Sequence, residues 1–512
     1  MPQTIDSMIR WWAEETPEVD ALVQDGQRVT FAQINEWAGK VAARFADAGL
    51  EIGDRVCIHA ANSIAWAVAG IATLRCGGVI AGLAPKLVED EVAYLVGDYA
   101  PRLLVVDDET AGVLPTDTSL QDRNGVPTAA PTRFRLSEIA AMRDAPPAPD
   151  IRREVDPDAL ALIVTTSGST ARPKGVMFSN HTLIDHVSAF RFEERTDAIV
   201  IKMLIVAPFS TTAGGMVLLH SLMQGGTGYI MPRFEPAKAL DLVVEERLTV
   251  FCAAPLFLQR VAEDPRFPHA DVSSIQVSFT GGAAVAPELL KAWADKGVIV
   301  RQMFGQSEAG GWGTTNPARY AISDPDRCGH GGPLRDIGII DENGNFLGPN
   351  QQGQIVMRGP GTMIGYWNDP EATAKTLVDG WLRTGDIGEI DERGLLRFVD
   401  RMKDIIISGG LNISAAEVER VLVDHPAIEE AAVIKVADDK FGETPGAIVY
   451  APDSLEIEQL VTYCNDKLSS HKVPRYIVLH EGPLPRLATG KIAKPALRER
   501  YAEPGSMGPK VR

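Results

Sequence analysis

The chain predicts a multi-lobed α/β protein: two layered α/β lobes, a β-rich lobe and a closing α+β segment. Three observations lead there. Short apolar strands alternate with helical patterns from Thr30 to Thr280, which points to layered α/β architecture. Between Asp336 and Val399 the texture turns to short strands broken by Gly and Asn. Helix and strand patterns then alternate again beyond Ala415. At 512 residues the chain exceeds what one hydrophobic core holds, so about two to four lobes are expected.

In the first lobe, Phe31, Ile34, Ala38, Val41, Phe45 and Ala48 recur at helical spacing, with Thr30 placed as N-cap and Gly49 as stop. Strands are expected at 55–58 and 103–106, and helices near 64–74 and 89–96. Residues 107–131, rich in Thr, Asp, Pro and Gly, read as an irregular excursion, and Ala145-Pro146-Pro147-Ala148-Pro149 as a stiff connector. The second lobe should carry strands at 200–206, 227–231, 249–253 and 275–280, with helices at 216–223 and 236–246. Turns such as Glu342-Asn343-Gly344-Asn345 and Glu392-Arg393-Gly394 punctuate expected strands at 338–340, 353–357, 388–390 and 395–399. The last segment predicts helices at 415–422 and 457–468, strands at 431–436 and 446–450, and a loose tail after Tyr501. No internal repeat is visible.

Composition narrows the function. With 45% hydrophobic and 23% charged residues the chain is an ordinary globular protein. Its formal net charge of −18 argues against a general binder of nucleic acid or anionic membranes. Cys57, Cys76, Cys252, Cys328 and Cys464 are far apart and form no C-x-x-C pair, which suits buried thiols in a reduced cytoplasmic protein better than disulfides or zinc. The opening Met1-Pro2-Gln3-Thr4-Ile5-Asp6 lacks a basic region followed by an apolar run, so no secretory signal is expected. No apolar segment approaches the roughly 18 residues that span a bilayer.

The chemistry gathers around Thr165-Thr166-Ser167-Gly168-Ser169-Thr170-Ala171-Arg172-Pro173-Lys174-Gly175, which follows the apolar run 159–164. Small residues let backbone N–H groups converge on an anion, hydroxyls add donors, and the lysine adds a mobile charge: a phosphate cradle. It is not a Walker A loop, because Lys174 follows Pro and precedes Gly. Four further clusters stand downstream, and a charge run lies among them. Phe279-Thr280-Gly281-Gly282-Ala283-Ala284 ends a strand in small residues, against which a flat ligand could lie. Phe304-Gly305-Gln306-Ser307-Glu308 sets an aromatic, a glycine and a carboxylate together. Gly380-Trp381-Leu382-Arg383-Thr384-Gly385-Asp386 places a carboxylate on the approach to a strand. Asp400-Arg401-Met402-Lys403-Asp404 is a charge run between apolar strands, where a solvated turn is the ordinary expectation. Pro485-Arg486-Leu487-Ala488-Thr489-Gly490-Lys491-Ile492 sets a lysine at a glycine-loosened turn.

Taken in order, these motifs resemble the adenylate-forming superfamily of acyl-CoA synthetases, adenylation domains and luciferases, over nearly the whole chain from about Thr30 to Arg498. Its phosphate-loop pattern T-S-G-S/T-T-G-x-P-K-G is matched by Thr166 to Gly175, with Ala171 where Gly is usual. If that position needs a positive φ, alanine costs roughly 1 kcal/mol. The resemblance implies a large N-terminal AMP-binding domain, residues 1–400, and a small mobile C-terminal α+β domain, residues 401–512, with its hinge at Lys403. It assigns Thr166, Ser167, Gly168, Ser169, Thr170 and Lys174 to the phosphates of ATP. Gly282, Ala283 and Phe304 go to adenine, and Gly305, Gln306 and Ser307 to the same nucleotide. Glu308 with Thr166 is assigned to Mg2+, Asp386 and Arg401 to ribose, and Lys491 to catalysis together with Glu308. Phe209, Thr211, Thr212, Gly214, Gly281, Ala309, Gly310 and Trp312 would border the acyl group. Gly409, Gly410, Phe441, Lys472 and Arg475 would meet CoA.

The implied reaction joins a carboxylic acid to ATP as acyl-AMP and pyrophosphate, then passes the acyl group to the thiol of CoA while the C-terminal domain swings. An amide-forming ligase that uses an amine acceptor, and a stand-alone enzyme loading a carrier protein, share the first half. Intact Lys491, Glu308 and Asp386 argue against a binding protein on a degenerate enzyme fold. Asp453-Ser454-Leu455 only superficially resembles a carrier-protein attachment site. Thr211 stands where the family often has His, so no titrating gate is expected there. Gly310 and Gly311 leave room beside Trp312, which suggests a compact ring-bearing or medium-length acid.

Overall fold

The computed structural model describes residues 3–114, 120–166, 173–283, 285–452, 454–486, 492–501 and 504–512. The chain divides into two compact units, Met1–Ile337 with Val356–Thr384, and Gly338–Ile355 with Gly385–Arg512. Strands Asp336–Ile340, Gly353–Arg358 and Trp381–Ile390 each run through a boundary between them.

Two sheets build the first unit. One has seven strands in the order Gly365–Tyr366, Lys174–Ser179, Leu160–Thr166, Val79–Leu83, Arg55–His59, Leu103–Val106 and Thr132–Arg135. Its central strands pair parallel and its first three antiparallel. The other has eight, ordered Thr314–Thr315, Arg301–Phe304, Val277–Gly281, Val250–Cys252, Lys202–Ile205, Thr227–Ile230, Asp20–Gln24 and Gln27–Thr30. Burial on both faces makes strands such as Val79–Leu83 continuous apolar runs rather than alternating ones.

Helix Phe31–Asp47 starts as its sequence foretells: the Thr30 hydroxyl accepts from Gln33 N–H and the Gln33 side chain returns to Thr30 N–H, a capping box. Helix Ile64–Arg75 is buried at every position, so it shows no polar face. The expected helix at 216–223 begins earlier, at Thr212, because Thr211 caps it and accepts from Gly214 N–H at 3.2 Å. Asn62 pins the preceding turn: it donates to Ala207 O at 2.8 Å and accepts from Phe209 N–H at 2.7 Å. At Gly82 the sheet meets that turn so closely that a Cβ would lie 2.6 Å from Ser210 Cα.

In the second unit, Leu411–Ile413, Ile406–Ser408, Gly442–Tyr450 and Glu430–Asp438 form a sheet in that order, with Tyr476–Leu479 parallel to Gly442–Tyr450. Strand alternation sends Ala431, Val433, Ala447, Val449 and Ile477 to the face covered by helices Ala415–Val423 and Ile457–Lys467. Ala432, Ile434, Val436, Ile448 and Tyr476 face helix Lys494–Tyr501 and Met507 instead. The expectation of a loose tail after Tyr501 is therefore corrected for 504–512. Met507 is 2% exposed and fills the space over Gly446, and Val511 N–H donates to Arg475 O at 2.9 Å. Among the described residues no helix is long and apolar enough to cross a membrane.

Candidate active site

Strands Leu160–Thr166 and Lys174–Ser179 pair antiparallel, with Thr166 opposite Lys174 and Thr165 opposite Gly175. Ser167, Gly168, Ser169, Thr170, Ala171 and Arg172 lie outside the described residues. The Tyr99 hydroxyl meets Thr165 Oγ1 at 2.9 Å, and Thr166 Oγ1 donates to Lys174 O at 3.4 Å.

The two-residue strand Gly365–Tyr366 extends this edge, Tyr366 pairing with Val176. Its phenol donates to Glu308 Oε1 at 2.7 Å. Lys174 Nζ sits 4.8 Å from the centre of the Tyr366 ring and 3.8 Å from the Asp369 carboxylate. Asp369 also caps helix Pro370–Thr376 by accepting from Ala372 N–H at 3.0 Å. Burial first, then the adjacent Glu308 charge, pushes the Tyr366 hydroxyl above its ordinary range, so it remains a donor. Lys174, Tyr366 and Glu308 thus stand side by side. Sequence reasoning missed Tyr366, since an aromatic in Gly365-Tyr366-Trp367 reads as ordinary core.

Glu308 is presented by a turn with strict backbone needs. Strand Arg301–Phe304 runs parallel to Val277–Gly281, with Gly281 beside Met303, where a Cβ would lie 2.7 Å from Met303 Cγ. Gly282 and Ala283 are exposed at the strand end, while Phe304 is buried. Past Gly305, Gln306 O accepts from Ala309 N–H at 3.0 Å and Gly311 N–H at 2.9 Å, closing the turn Ser307–Ala309. Gly310 and Gly311, at φ +69° and +86°, make the reversal that other residues resist. Met363 N–H donates to Glu308 O at 2.8 Å, and the buried Gln306 Nε2 has no partner among the described residues.

The residues expected to border the acyl group separate. Phe209 is buried against Trp66, ring centres 5.1 Å apart. A Cβ on Gly214 would lie 2.1 Å from Pro208 O, so that glycine serves the close start of its helix. Thr212 lies by the Glu308 turn: a Cβ on Gly311 would lie 3.2 Å from its Cγ2. Ala309 is buried, and Trp312 packs on Phe190 and on two residues the sequence did not flag, His186 and Arg335. His220 lies 5.3 Å from His186, ring to ring. A histidine on an apolar helix face reads as core, so only the fold could join these two.

In the second unit Asp386 and Arg401 face each other across antiparallel strands Trp381–Ile390 and Leu396–Arg401, Arg401 Nε 3.9 Å from Asp386 Oδ1. The charge run at 400–404 is in part buried. Asp400 accepts from Ser414 Oγ at 2.8 Å and Ala416 N–H at 2.9 Å, and Asp404 pairs with Arg498. Lys403 is half-buried, and burial first, then Arg401, lowers its ammonium pKa. Gly409 and Gly410 turn at φ +58° and +82°, and Gly409 N–H donates to Phe441 O at 2.8 Å. The Arg475 guanidinium lies 4.3 Å from the Phe441 ring centre. Lys472 instead holds both carboxylate oxygens of Glu417 at 2.7 Å. Lys491 lies outside the described residues, which resume at Ile492, paired with Arg486.

Burial first, then His220 and Arg335, keeps His186 well below its ordinary 6.5, and burial, then Arg335, lowers His220 to about 3. Below pH 6.5 the unfolded chain binds protons that these folded imidazoles refuse, so stability is lost as pH falls from 6.5 toward about 3. For His220 the loss is about 2 kcal/mol by pH 5. His220→Phe is expected to lower the thermal midpoint less than wild type between pH 7 and pH 5; equal drops in calorimetry would contradict this.

The chain matches the AMP-binding enzyme family over residues 9–367 and the AMP-binding enzyme C-terminal domain over residues 417–491. A long-chain-fatty-acid–CoA ligase of Mycobacterium tuberculosis is 32% identical, covering 98% of this chain and 99% of the relative. A feruloyl-CoA synthase of an Amycolatopsis species is 32% identical over 96% of this chain and 97% of its own. The o-succinylbenzoate CoA synthetase of Bacillus subtilis, solved with its acyl-adenylate intermediate, superposes with a TM-score of 0.85 at 27% identity, covering 97% of this chain and 98% of that one. With full-length coverage at this identity, the chain belongs to the adenylate-forming AMP-binding enzymes, in their acyl- and aryl-CoA ligase branch.

Proposed function

We propose that the protein is an ATP- and Mg2+-dependent carboxylic acid:CoA ligase that works through an acyl-adenylate in the cytoplasm. The contiguity of Lys174, Tyr366 and Glu308 carries this reading: a cation and a carboxylate joined by a buried, protonated tyrosine, where the strand leads into the Ser/Thr/Gly stretch. Gln306 Nε2, buried and without a partner among the described residues, suits a polar ligand such as a nucleotide. Relatives named as CoA ligases and a neighbour holding an acyl-adenylate support the same chemistry.

In the first half-reaction a carboxylate oxygen of the acid bonds to the α-phosphorus of ATP, and the bridging oxygen leaves with pyrophosphate. Two anions must meet, so charge neutralisation and alignment are the main needs. Thr166, Ser167, Gly168, Ser169, Thr170 and Lys174 hold the phosphates, and Lys491 neutralises charge growing on the leaving oxygen. Gly282, Ala283 and Phe304 take adenine, with Gly305, Gln306 and Ser307 along the nucleotide, while Asp386 and Arg401 take ribose. Glu308 and Thr166 are hard oxygen ligands suited to Mg2+, which when bound offsets phosphate charge.

In the second half the CoA thiol, giving up its proton, bonds to the acyl carbon and AMP leaves. Gly409 and Gly410 line the pantetheine path, and Phe441 with Arg475 forms a cationic aromatic surface for the adenine end, which favours CoA over an amine. Lys472, engaged by Glu417, must exchange partners to meet a CoA phosphate. Residues 401–512 turn about Lys403 against residues 1–400 between the halves. The acid is compact and ring-bearing, or of medium length.

AMP release with a panel of acids, with CoA, with amines or with no added acceptor, tests the reading. Thioester formed with CoA supports it, whereas amide formed without CoA turnover replaces it. Lys491→Ala should cut adenylate formation roughly a hundredfold or more while sparing thioester formation from presynthesised acyl-AMP. Equal loss in both assays would refute that role. Tyr366→Phe removes the donor to Glu308 and should raise the Mg2+ requirement about tenfold or more in the first half only. An unchanged Mg2+ titration would show that the hydroxyl does not tune the site.

A further inference from the structure

Behind the Glu308 turn lies a buried polar cluster for which the two half-reactions have no use. Helix Asn180–Glu194 brings His186, Phe190 and Glu193 to one face at four- and three-residue spacing. Phe190 and His186 meet Trp312 edge-on, ring centres 5.0 and 5.9 Å away, and the Arg335 guanidinium lies 3.8 Å from the Trp312 ring centre. Arg335 is only 6% exposed. Its Nε donates to Pro360 O and its Nη2 to His186 Nδ1, both at 3.3 Å. Its Nη1 is buried with no hydrogen-bond partner among the described residues, and so are Glu193 Oε1 and Thr212 Oγ1. Glu194, the adjacent acid, is taken by Arg301.

A buried donor left without a partner is costly, and more so when it is charged. Hydrocarbon would serve packing better, so the unpaired Nη1 points to a ligand atom. Its position says which ligand. A Cβ on Gly310 would lie 3.0 Å from His186 Cε1, and one on Gly311 3.2 Å from Thr212 Cγ2, so only glycine backbone separates the cluster from the Glu308 turn. Trp312 and Arg335 therefore stand directly behind the turn that presents Glu308, on the side toward which the far end of an acid reacting there would point. Charge says which group it carries. Both histidines are neutral at working pH, and Glu193, then Glu194, already supply negative charge that favours the Arg335 cation. A second carboxylate would bring an uncompensated charge into a dry site, whereas a neutral oxygen would not.

We infer that the acid carries a keto or hydroxyl oxygen at the end of its acyl group remote from the reacting carboxylate, and that Arg335 Nη1 donates a hydrogen bond to it. Arg335 is then a specificity-determining residue, with His186 orienting its guanidinium and Trp312 supporting it. A hydroxyl can also donate to Glu193 Oε1, which a ketone cannot. The inference rests on the reading of the chain as an adenylating enzyme.

Acid-dependent ATP–pyrophosphate exchange on the full chain tests it without involving CoA. The probes are cyclohexylpropanoates with a carbonyl, a hydroxyl, a hydrogen or a carboxylate at the ring carbon opposite the side chain. A straight medium-length series carries the same four terminal groups. The carbonyl or hydroxyl acid of at least one series should exceed its hydrocarbon partner by roughly a hundredfold or more in kcat/KM, because a site built to bond an oxygen rejects the analogue lacking it. A hydroxyl preference over the ketone assigns Glu193 as the second partner, and the reverse assigns Arg335 alone. Arg335→Met, which keeps the apolar stem and removes the guanidinium that lies over Trp312, should collapse the ratio to near one. Equal rates for oxygenated and hydrocarbon acids in wild type would mean that water occupies the gap, and would overturn the inference even if the variant fails to fold. Preference for the dicarboxylate, or an unchanged ratio in a folded Arg335→Met, would overturn it as well. Exchange with none of these acids, where the wider acid panel does release AMP, would overturn the inference alone, whereas no acid-dependent AMP release with any acid would remove the adenylation reading itself.

Discussion

The hydrogen bond from Tyr366 to Glu308 ties together parts of the first unit that are far apart in sequence. Tyr366 belongs to the edge of the seven-stranded sheet, beside the strand that begins at Lys174. Glu308 belongs to a glycine-closed turn after a strand of the eight-stranded sheet. Because the tyrosine is buried and keeps its proton, it donates to the Glu308 carboxylate while Lys174 lies over its ring. The backbone bond from Met363 to Glu308 fixes the same approach from a second point. Without that constraint the cation and the carboxylate would sit on independent sheets, and their spacing would depend on loops.

Behind this junction the interior becomes polar where hydrocarbon would be the cheaper choice. Two neutral histidines, an arginine stacked on Trp312 and a glutamate oxygen unpaired among the described residues share one dry region. Such groups persist when they define what enters, since an apolar wall discriminates weakly between acids of similar size. The glycines at 310 and 311 serve both sides: they reverse the chain to present Glu308, and they leave no side chain between it and His186. Position and selectivity are thus coupled through a few backbone atoms.

Much of the frame was legible in the residues. Thr30 as N-cap and the apolar runs at 55–58 and 103–106 act locally, so their elements follow from short-range chemistry. The order of motifs from Thr166 to Lys491 named the family. The less visible features depend on distant partners. Helix Asn180–Glu194 mixes polar and apolar residues because one face meets Trp312 and Arg335, so its pattern looks weak in isolation. Met507 was read as tail because its site over Gly446 is created by a strand some sixty residues earlier. Tyr366 and Arg335 had no local signal, since each acquires meaning only from a buried partner on another element.

Everything in the first half-reaction follows from where the acid attacks ATP. Attack at the α-phosphorus moves one carboxylate oxygen into AMP, while attack at the γ-phosphorus would place it in inorganic phosphate. Turnover of an acid labelled with oxygen-18 in its carboxylate, with ATP and CoA, followed by mass spectrometry of the nucleotide and phosphate products, separates the two. Label is expected in AMP and none in pyrophosphate. Label in inorganic phosphate accompanied by ADP would contradict it.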